Sequence, residues 1–361
     1  MNSLLVIILV GSILLLSFLL LANPLKVNHK ANVLFGIFLL LWASYWIEEV
    51  ASLALGVELS HYQLLIVRSL QFLTPVLLYY SVIFYTNPDY RLSKKDGFIA
   101  ILPIIYWSLL LSDISSNYRS IAWSLTVIVL IQAVILVSLS YKLIHHHKRR
   151  IKLFESTTDE IDLHWLESII LALIGLCFFI VCYNLVFSPA YLNIIANLIS
   201  LIIVYFIGYH IIKQEEIFVL DSKERELVLA ASHDDSIEKK KLLSDDALKD
   251  LKTKLLHVMA ADHPYLDAKL SLSQLADTID VTPHQLSYVI NEGFQENFFT
   301  FVNNYRISKV KSYLKDESKS HLAIMGIAYE CGFNSKSSFY STFKKITNMT
   351  PSEYIKKSST L

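Results

Sequence analysis

Polar side chains of a particular kind recur along two short stretches near the end of the chain. TPHQLSYVIN, from Thr282 to Asn291, alternates apolar residues with histidine, glutamine, serine, tyrosine and asparagine. NSKSSFYSTFKKIT, from Asn334 to Thr347, adds lysines in a similar rhythm. Amide, imidazole and hydroxyl groups form hydrogen bonds with the edges of bases, and lysines pair with phosphates. These residue types therefore favour contact with a nucleic-acid duplex.

The first stretch must be positioned by helices, and their starts can be read from the sequence. Ser271 with Gln274 has the spacing of an N-terminal capping box. Thr282 with Gln285 repeats that spacing. Only IDVT joins the two helices, and Ala276 is small enough for close packing, so the sequence predicts a helix-turn-helix. On the second helix we expect these residues to face outward: His284, Gln285, Ser287, Tyr288 and Asn291.

A second unit of the same kind is predicted further along the chain. HLAIMGIAYECGF predicts a helix that ends in a sharp turn at Gly332, and Asn334 or Ser335 caps the helix that follows. The inner side of that helix is predicted to consist of Phe339, Phe343 and Ile346. The outward residues and the cap are Ser335, Lys336, Ser337, Ser338, Ser341, Lys344 and Lys345.

An amphipathic stretch, NFFTFVNNYRISKVKSYLKD, lies between the two units and predicts a linker helix. Thr350 with Glu353 predicts a third capping box, which opens a closing helix. Two helix-turn-helix units on one linker can place their second helices in the major groove about one helical turn apart.

These stretches together resemble the AraC/XylS family of bacterial transcription regulators. The resemblance extends from about His257 to Lys357 and is clearest in IAYECGFNSKSSFYSTFKKITNMTPSEY. This chain departs from the family pattern at a few positions. Asn348 and Asp280 stand where the family prefers glycine, and Ser341 and Ile355 stand where arginine is frequent. The resemblance implies a double helix-turn-helix domain that binds promoter DNA and regulates transcription.

Long apolar runs occupy the first part of the chain. Hydrophobic residues make up 54% of the 361 residues and charged residues 18%, a balance that is typical of a chain with much of its length in lipid. The runs predict seven transmembrane helices, at about 4–21, 31–55, 62–85, 97–111, 120–141, 165–187 and 192–212. A membrane bundle thus stands where the resembled family usually carries a soluble sensing domain.

The distribution of basic residues predicts the orientation of these spans. Lysine and arginine concentrate in the first, third and fifth loops, whereas the second and sixth loops have none and the fourth has only Arg119. Because cytoplasmic loops carry the excess of basic residues, we expect the N-terminus outside and everything after Ile212 in the cytoplasm. The predicted location is the bacterial inner membrane.

Charged residues inside the predicted spans form a second candidate site. Glu48 and Glu49 in the second span and Arg68 in the third lie roughly 10 Å below the outer surface, and Trp46 lies on the same helix as the glutamates. Buried ionisable groups in a membrane either pair with each other or mark a functional site. Both interpretations stay open: an ion pair that joins two helices, or an outward-facing pocket for an unknown extracytoplasmic ligand.

Other patterns exclude several functional classes. HHHKRR, at His145–Arg150, indicates a basic cluster near lipid head groups, because three consecutive histidines do not converge on one ion. The three cysteines have no metal-ligand spacing. The sequence contains no nucleophile elbow, phosphate-binding loop or zinc motif. It therefore predicts no cofactor, no metal and no enzymatic activity.

The sequence thus predicts an all-α protein with three parts. Residues 1–212 form a seven-helix membrane domain that anchors the chain and senses a signal, 213–244 form a charged connector, and 245–361 form the DNA-binding domain. The predicted function is a membrane-embedded, sequence-specific transcription regulator, whose partners are promoter DNA and the bilayer. For the connector a solvated tether is favoured slightly over a segment that transmits a shift of the last span or brings a second copy of the chain into a homodimer. The alternative is a receptor whose cytoplasmic domain binds a protein, and salt-sensitive, sequence-selective DNA binding would distinguish the two.

Overall fold

The computed structural model describes residues 2–24, 26–112, 118–158, 161–186, 192–213, 242–319 and 322–358. Within these ranges the chain is helical and contains no strand, apart from one isolated bridge between Glu155 and Ser271. The prediction of an all-α protein is confirmed. The described residues fall into two compact units, one within Met1–His146 and Leu163–Ile217, the other within His147–Asp162 and Phe218–Leu361. We call them the apolar unit and the C-terminal unit.

The apolar unit consists of long hydrophobic helices. They are α1 (Asn2–Ala22), α2 (His29–Ala43, continued by short irregular turns to Leu55), α3 (His61–Gln71), α4 (Thr74–Thr86), α5 (Ile101–Ser112), α6 (Tyr118–Ile151), α7 (His164–Val186) and α8 (Leu192–Ile212). The end of α6 from His147 onward belongs to the C-terminal unit.

Five helical segments among the described residues are long and apolar enough to cross a membrane. They are Asn2–Ala22, His29–Leu55, His61–Thr86, Val127–Ile151 and Ile194–Ile212. Two shorter apolar helices, Asp96–Leu111 and His164–Phe179, occupy the positions of the fourth and sixth predicted spans. Several apolar helices could therefore span a membrane, while the number of seven spans and their orientation stay predictions.

Small and polar residues bring the first helices of the apolar unit together. A Cβ atom on Gly36 of α2 would lie 3.0 Å from the Leu21 side chain, so glycine allows close packing against α1. The Ser17 hydroxyl donates to the Gly36 carbonyl oxygen over 2.7 Å. Asn32, which is 3% exposed, accepts a hydrogen bond from the Tyr85 hydroxyl at 2.5 Å. Close packing at small residues and hydrogen bonds between helices are the contacts that hold apolar helices together where no hydrophobic driving force acts between them.

The C-terminal unit contains the helices predicted from residue 245 onward. They are α9 (Asp245–Ala261), α10 (Leu272–Thr278), α11 (Pro283–Phe294), α12 (Phe298–Tyr313), α13 (Ile324–Glu330), α14 (Lys336–Thr347) and α15 (Pro351–Ser358). Helices α10 and α11 form the first helix-turn-helix, and α13 and α14 form the second. The predicted connector 213–244 lies outside the described residues except for its two ends.

The linker helix α12 contributes to two separate hydrophobic cores. Phe298, Phe301 and Val302, near its start, pack with α9, α10 and α11 in the first core. Ile307 and Val310, further along, pack with α13 and α14 in the second core. One rigid helix therefore holds both helix-turn-helix units.

Two turns of the C-terminal unit contain residues that tolerate a left-handed backbone. Asp280, between α10 and α11, has φ 57°, and Asn348, after α14, also has φ 57°. Asparagine and aspartate adopt this region more readily than most residues with a side chain. Their presence where the resembled family prefers glycine therefore leaves the turn geometry intact.

Candidate nucleic-acid interface

The first helix-turn-helix starts with the two predicted capping boxes. Ser271 accepts the Gln274 amide hydrogen, and the Gln274 side chain accepts from the Ser271 amide at 2.8 Å. Thr282 and Gln285 repeat the exchange at 3.2 and 3.0 Å. The Gln285 carboxamide oxygen is thus occupied at the start of α11, which leaves its NH₂ group for an external acceptor.

The outer face of α11 is smaller than the sequence predicted. His284, Gln285, Tyr288 and Asn291 are partly exposed. Ser287 is only 4% exposed, so the expectation that it faces outward is wrong. Ser287 lies four residues after the buried Pro283 and three before the buried Ile290, on the helix face that packs inward. Burial also lowers the pKa of His284 and so favours the neutral imidazole, which can both donate and accept a hydrogen bond.

The second helix-turn-helix presents a more basic face. Ser335 caps α14 by accepting the Ser338 amide hydrogen at 3.1 Å. Five predicted contact residues on this helix are exposed, namely Lys336, Ser337, Ser341, Lys344 and Lys345. Ser338 is 9% exposed, and its prediction as an outward residue is wrong because it lies on the buried face with Thr342. Ile346 was expected inside and is 36% exposed, because it belongs to the last turn of α14.

The two faces differ in the chemistry that they offer. α11 presents imidazole, carboxamide and phenol groups, which can recognise the hydrogen-bonding pattern of a base edge. α14 presents three ammonium groups and two hydroxyls, and the described contacts include no carboxylate paired with any of those lysines. The second face therefore has the greater capacity to bind phosphates.

A buried arginine on the linker helix α12 was not identified from the sequence. Arg306 of α12 is fully buried, and its guanidinium donates to the Tyr265 and Asp267 carbonyl oxygens at 2.8 and 2.7 Å. Burial lowers its pKa to about 10, so it stays charged. Its position, four residues after Val302 and four before Val310 in the apolar stripe, is the signal that could have revealed it.

The candidate residues of the apolar unit are only partly brought together. Asn2 donates to Glu49 at 2.9 Å, Asn197 donates to Asn2 at 3.2 Å, and the Trp46 indole donates to Asn197 at 2.8 Å. Glu48 is exposed and Arg68 is half-buried. The contacts of the described residues include no ion pair from either glutamate to Arg68. Asn2 and Asn197, which complete this polar network, were not predicted.

Comparison with known proteins identifies the C-terminal region. A family model described as "Helix-turn-helix domain" matches residues 275–357. The "Melibiose operon regulatory protein" of Escherichia coli is 32% identical over 92 residues, 26% of this chain and 30% of that protein. The "Uncharacterized HTH-type transcriptional regulator YtdP" of Bacillus subtilis is 24% identical over 111 residues, 31% of this chain and 14% of that protein.

A third relative shows how far the similarity extends. An uncharacterized HTH-type transcriptional regulator of Staphylococcus aureus is 35% identical over 85 residues, 24% of this chain and 11% of that protein. The chain thus spans less than a third of the length of these curated relatives. No solved structure matches it significantly. The matched region, two capped helix-turn-helix units on one linker helix, is a domain of the AraC/XylS type.

Proposed function

We propose that this protein is a membrane-embedded, sequence-specific transcription regulator. The observation that carries the proposal is the pairing of a double helix-turn-helix domain with several helices that are long and apolar enough to cross a membrane. Two relatives with similar helix-turn-helix regions are named as transcriptional regulators, and a third is named as an operon regulatory protein. On this proposal α11 and α14 contact promoter DNA from the cytoplasmic side of the bacterial inner membrane.

The proposal divides the contacts between the two reading helices. His284, Gln285, Tyr288 and Asn291 of α11 read base edges, and the lysines of α14 bind phosphates. Arginine, lysine and amide side chains make the best-defined base contacts in the major groove, so Asn291 and Gln285 are the strongest candidates for adenine.

Footprinting with the full-length protein in lipid nanodiscs tests this proposal. The protein should protect a defined stretch of the DNA upstream of its own gene, and affinity should fall steeply with salt. His284→Ala should weaken specific binding by about 1–3 kcal/mol and leave non-specific binding intact. His257→Ala, an exposed histidine on α9, is the matched control and should change neither. Binding that is insensitive to both salt and sequence would instead favour a protein partner.

We propose in addition that the apolar unit senses an extracytoplasmic ligand through Trp46, Glu48, Glu49 and Arg68. The network of Asn2, Glu49, Asn197 and Trp46 supports a polar site within an apolar unit. The backbone is also irregular there, with a tight turn at Ser44–Trp46 and a widened one at Ala51–Leu55. Widened helical turns are frequent at functional sites.

A reporter gene under the footprinted promoter tests the sensing role. Glu49→Gln and Arg68→Ala should change the level of transcription in growing cells while the amount of inserted protein stays constant. Leu53→Ala, at an exposed position nearby, is the control. Unchanged transcription in both charge variants would show that these residues serve only to pack the helices.

A further inference from the structure

A short segment far ahead of α9 in the sequence belongs to the C-terminal unit. Lys152–Thr158, which we call the docking segment, lies within that unit together with the DNA-binding domain. In sequence it joins α6 to α7, the helices at the positions of the fifth and sixth predicted spans. Its two ends are therefore covalently attached to predicted membrane helices, while its contacts are with the DNA-binding domain.

The backbone of the docking segment caps two helices of that domain. The Leu272 amide at the start of α10 donates to the Phe154 carbonyl oxygen at 2.7 Å. The Phe299 amide in the first turn of α12 donates to the Lys152 carbonyl oxygen at 3.1 Å. Amides in the first turn of a helix have no acceptor within their own helix, so the segment supplies partners that α10 and α12 lack.

The side chains of the segment complete the first core and hold Arg306. Phe154 is 4% exposed and belongs to the hydrophobic core around α10 and α11. Ser156, which is 1% exposed, accepts from Arg306 through its hydroxyl at 2.9 Å and through its carbonyl oxygen at 3.1 Å. Thr157 accepts from the same guanidinium at 3.2 Å. The segment thus provides three of the oxygen atoms that surround a buried charge.

Arg306 in turn lies between the first core and the turn of the second helix-turn-helix. Its Nε donates to the Tyr265 carbonyl oxygen, on the side of the first core. On the other side, a Cβ atom on Gly332, in the turn of the second unit, would lie 3.0 Å from Arg306 Nε. The position of this guanidinium therefore affects how the two helix-turn-helix units are held on α12.

We propose that the docking segment is the element through which the membrane helices control DNA binding. When it is docked, Arg306 is fully satisfied and the two reading helices are held in one arrangement. When a shift of α6 or α7 withdraws it, the guanidinium loses acceptors, α10 and α12 lose capping partners, and DNA affinity falls. This inference rests on the proposed function, because it assigns the regulation of the same DNA-binding surface.

The physical basis is a difference in free energy between the docked and the undocked state of the docking segment. A buried guanidinium that loses its acceptors is strongly destabilising, so the undocked state must rearrange around Arg306. A signal changes the DNA-binding equilibrium only if it favours one of the two states. The docking segment is covalently attached at both ends to predicted membrane helices, so a movement of those helices can favour one of its two states over the other.

The first test uses the full-length protein in nanodiscs and two measurements. Ser156→Ala combined with Thr157→Val removes two acceptors of Arg306. We expect faster hydrogen exchange at the Leu272 and Phe299 amides and an increase of about tenfold in Kd for the footprinted DNA. Thr158→Val is the matched control and should change neither measurement, because Thr158 is 7% exposed and the hydrogen bonds described for Arg306 do not include its side chain.

A disulfide provides the complementary test and excludes simple misfolding. Glu155 and Ser271 face each other in an antiparallel bridge flanked by two hydrogen bonds, the type of pair whose Cα atoms lie about 4.5 Å apart, within disulfide range. In the Ser156→Ala, Thr157→Val background, Glu155→Cys with Ser271→Cys should restore DNA affinity when oxidised and lose it again when reduced.

The outcomes separate the two proposals. If the variant exchanges faster at Leu272 and Phe299 but binds DNA as tightly as the wild type, the docking proposal is overturned and the proposed function stands. Oxidation that fails to restore binding also overturns it, provided that Glu155→Cys with Ser271→Cys in the otherwise wild-type chain binds DNA normally when oxidised, because Ser271→Cys by itself removes the cap of α10. If the wild-type protein binds no DNA specifically, the proposed function is overturned, and the regulatory inference with it.

Discussion

At the scale of single residues, Gly332 is constrained more tightly than any other glycine among the described residues. Its φ is 87°, and a Cβ atom would lie 2.5 Å from the Tyr265 carbonyl oxygen. Both the backbone conformation and the lack of space exclude a side chain. Because the carbonyl belongs to the main chain, the neighbour cannot rotate away.

Gly332→Ala should therefore lower the free energy of unfolding of the C-terminal unit by roughly 2–4 kcal/mol. Gly326→Ala is the matched control, since Gly326 lies inside α13 and its nearest neighbour would be 3.9 Å away. That change should be neutral or stabilising by up to about 1 kcal/mol. Hydrogen exchange of the buried amides, measured in urea, gives both values, and equal effects would contradict the packing described for Gly332.

Glu155 makes the stability of the docked segment depend on pH, and the raised pKa of Glu155 defines the sign of that dependence. Burial raises the pKa of Glu155 from 4.5 to about 7, so the folded state holds the proton more tightly than the unfolded state. Its contribution to stability is then greatest below about pH 4.5 and is lost as the pH rises to 7.

We expect the protection of the Leu272 and Phe299 amides from exchange to decrease between pH 5 and 7, after correction for the intrinsic exchange rate. The change corresponds to on the order of 1–3 kcal/mol. Glu155→Gln has no proton to lose, so its protection should stay nearly constant over the same range. A wild-type profile as flat as that of the variant would show that Glu155 ionises freely in the folded protein.

At the scale of helices, local signals were enough to predict most of the C-terminal unit. The capping boxes at Ser271 and Thr282 and the apolar stripes depend on residues three or four positions apart, and both are confirmed. The errors at Ser287 and Ser338 came from reading hydroxyls as surface groups, although each has the spacing of a buried position.

Contacts between distant parts of the chain could not be predicted in the same way. Arg306 and Ser156 meet across 150 residues, and neither stretch carries a pattern that specifies the other. The sequence of the docking segment is short and mostly polar, so it reads as an ordinary loop. The network of Asn2, Glu49 and Asn197 was missed for the same reason.

The lysines at the end of α14 predict the salt dependence of DNA binding. Lys344→Ala and Lys345→Ala should each reduce the slope of log Kd against log salt by about 0.9, with similar loss of affinity for every DNA sequence. Lys249→Ala, an exposed lysine on α9, is the control and should leave the slope unchanged. A loss confined to one DNA sequence would assign these lysines to base contacts instead.

At the scale of the whole molecule, the predicted orientation requires the DNA-binding domain to face the cytoplasm. The sequence places the loop with Glu58 outside and the loop with Lys94 inside, because only the second loop is basic. Both side chains are exposed at the ends of apolar helices, so they are accessible positions for chemical labelling.

Single-cysteine variants of the full-length protein check this orientation. A membrane-impermeant maleimide added to intact spheroplasts should label Glu58→Cys at once and Lys94→Cys only after lysis. The two variants serve as each other's control, because both carry one exposed thiol in a loop. The reverse pattern of labelling would place the C-terminal unit outside and contradict a role at promoter DNA.

The DNA-binding domain is assembled from two stretches of chain that lie on either side of α7 and α8. A protease that cut once after Lys213 would separate α9 to α15 from α1 to α8 and leave Phe154, Ser156 and Thr157 with the other fragment. The freed piece would lack part of its core and three acceptors of Arg306. Cutting the chain between α8 and α9 would therefore yield a weakened C-terminal unit, so this architecture favours regulation while the chain stays whole.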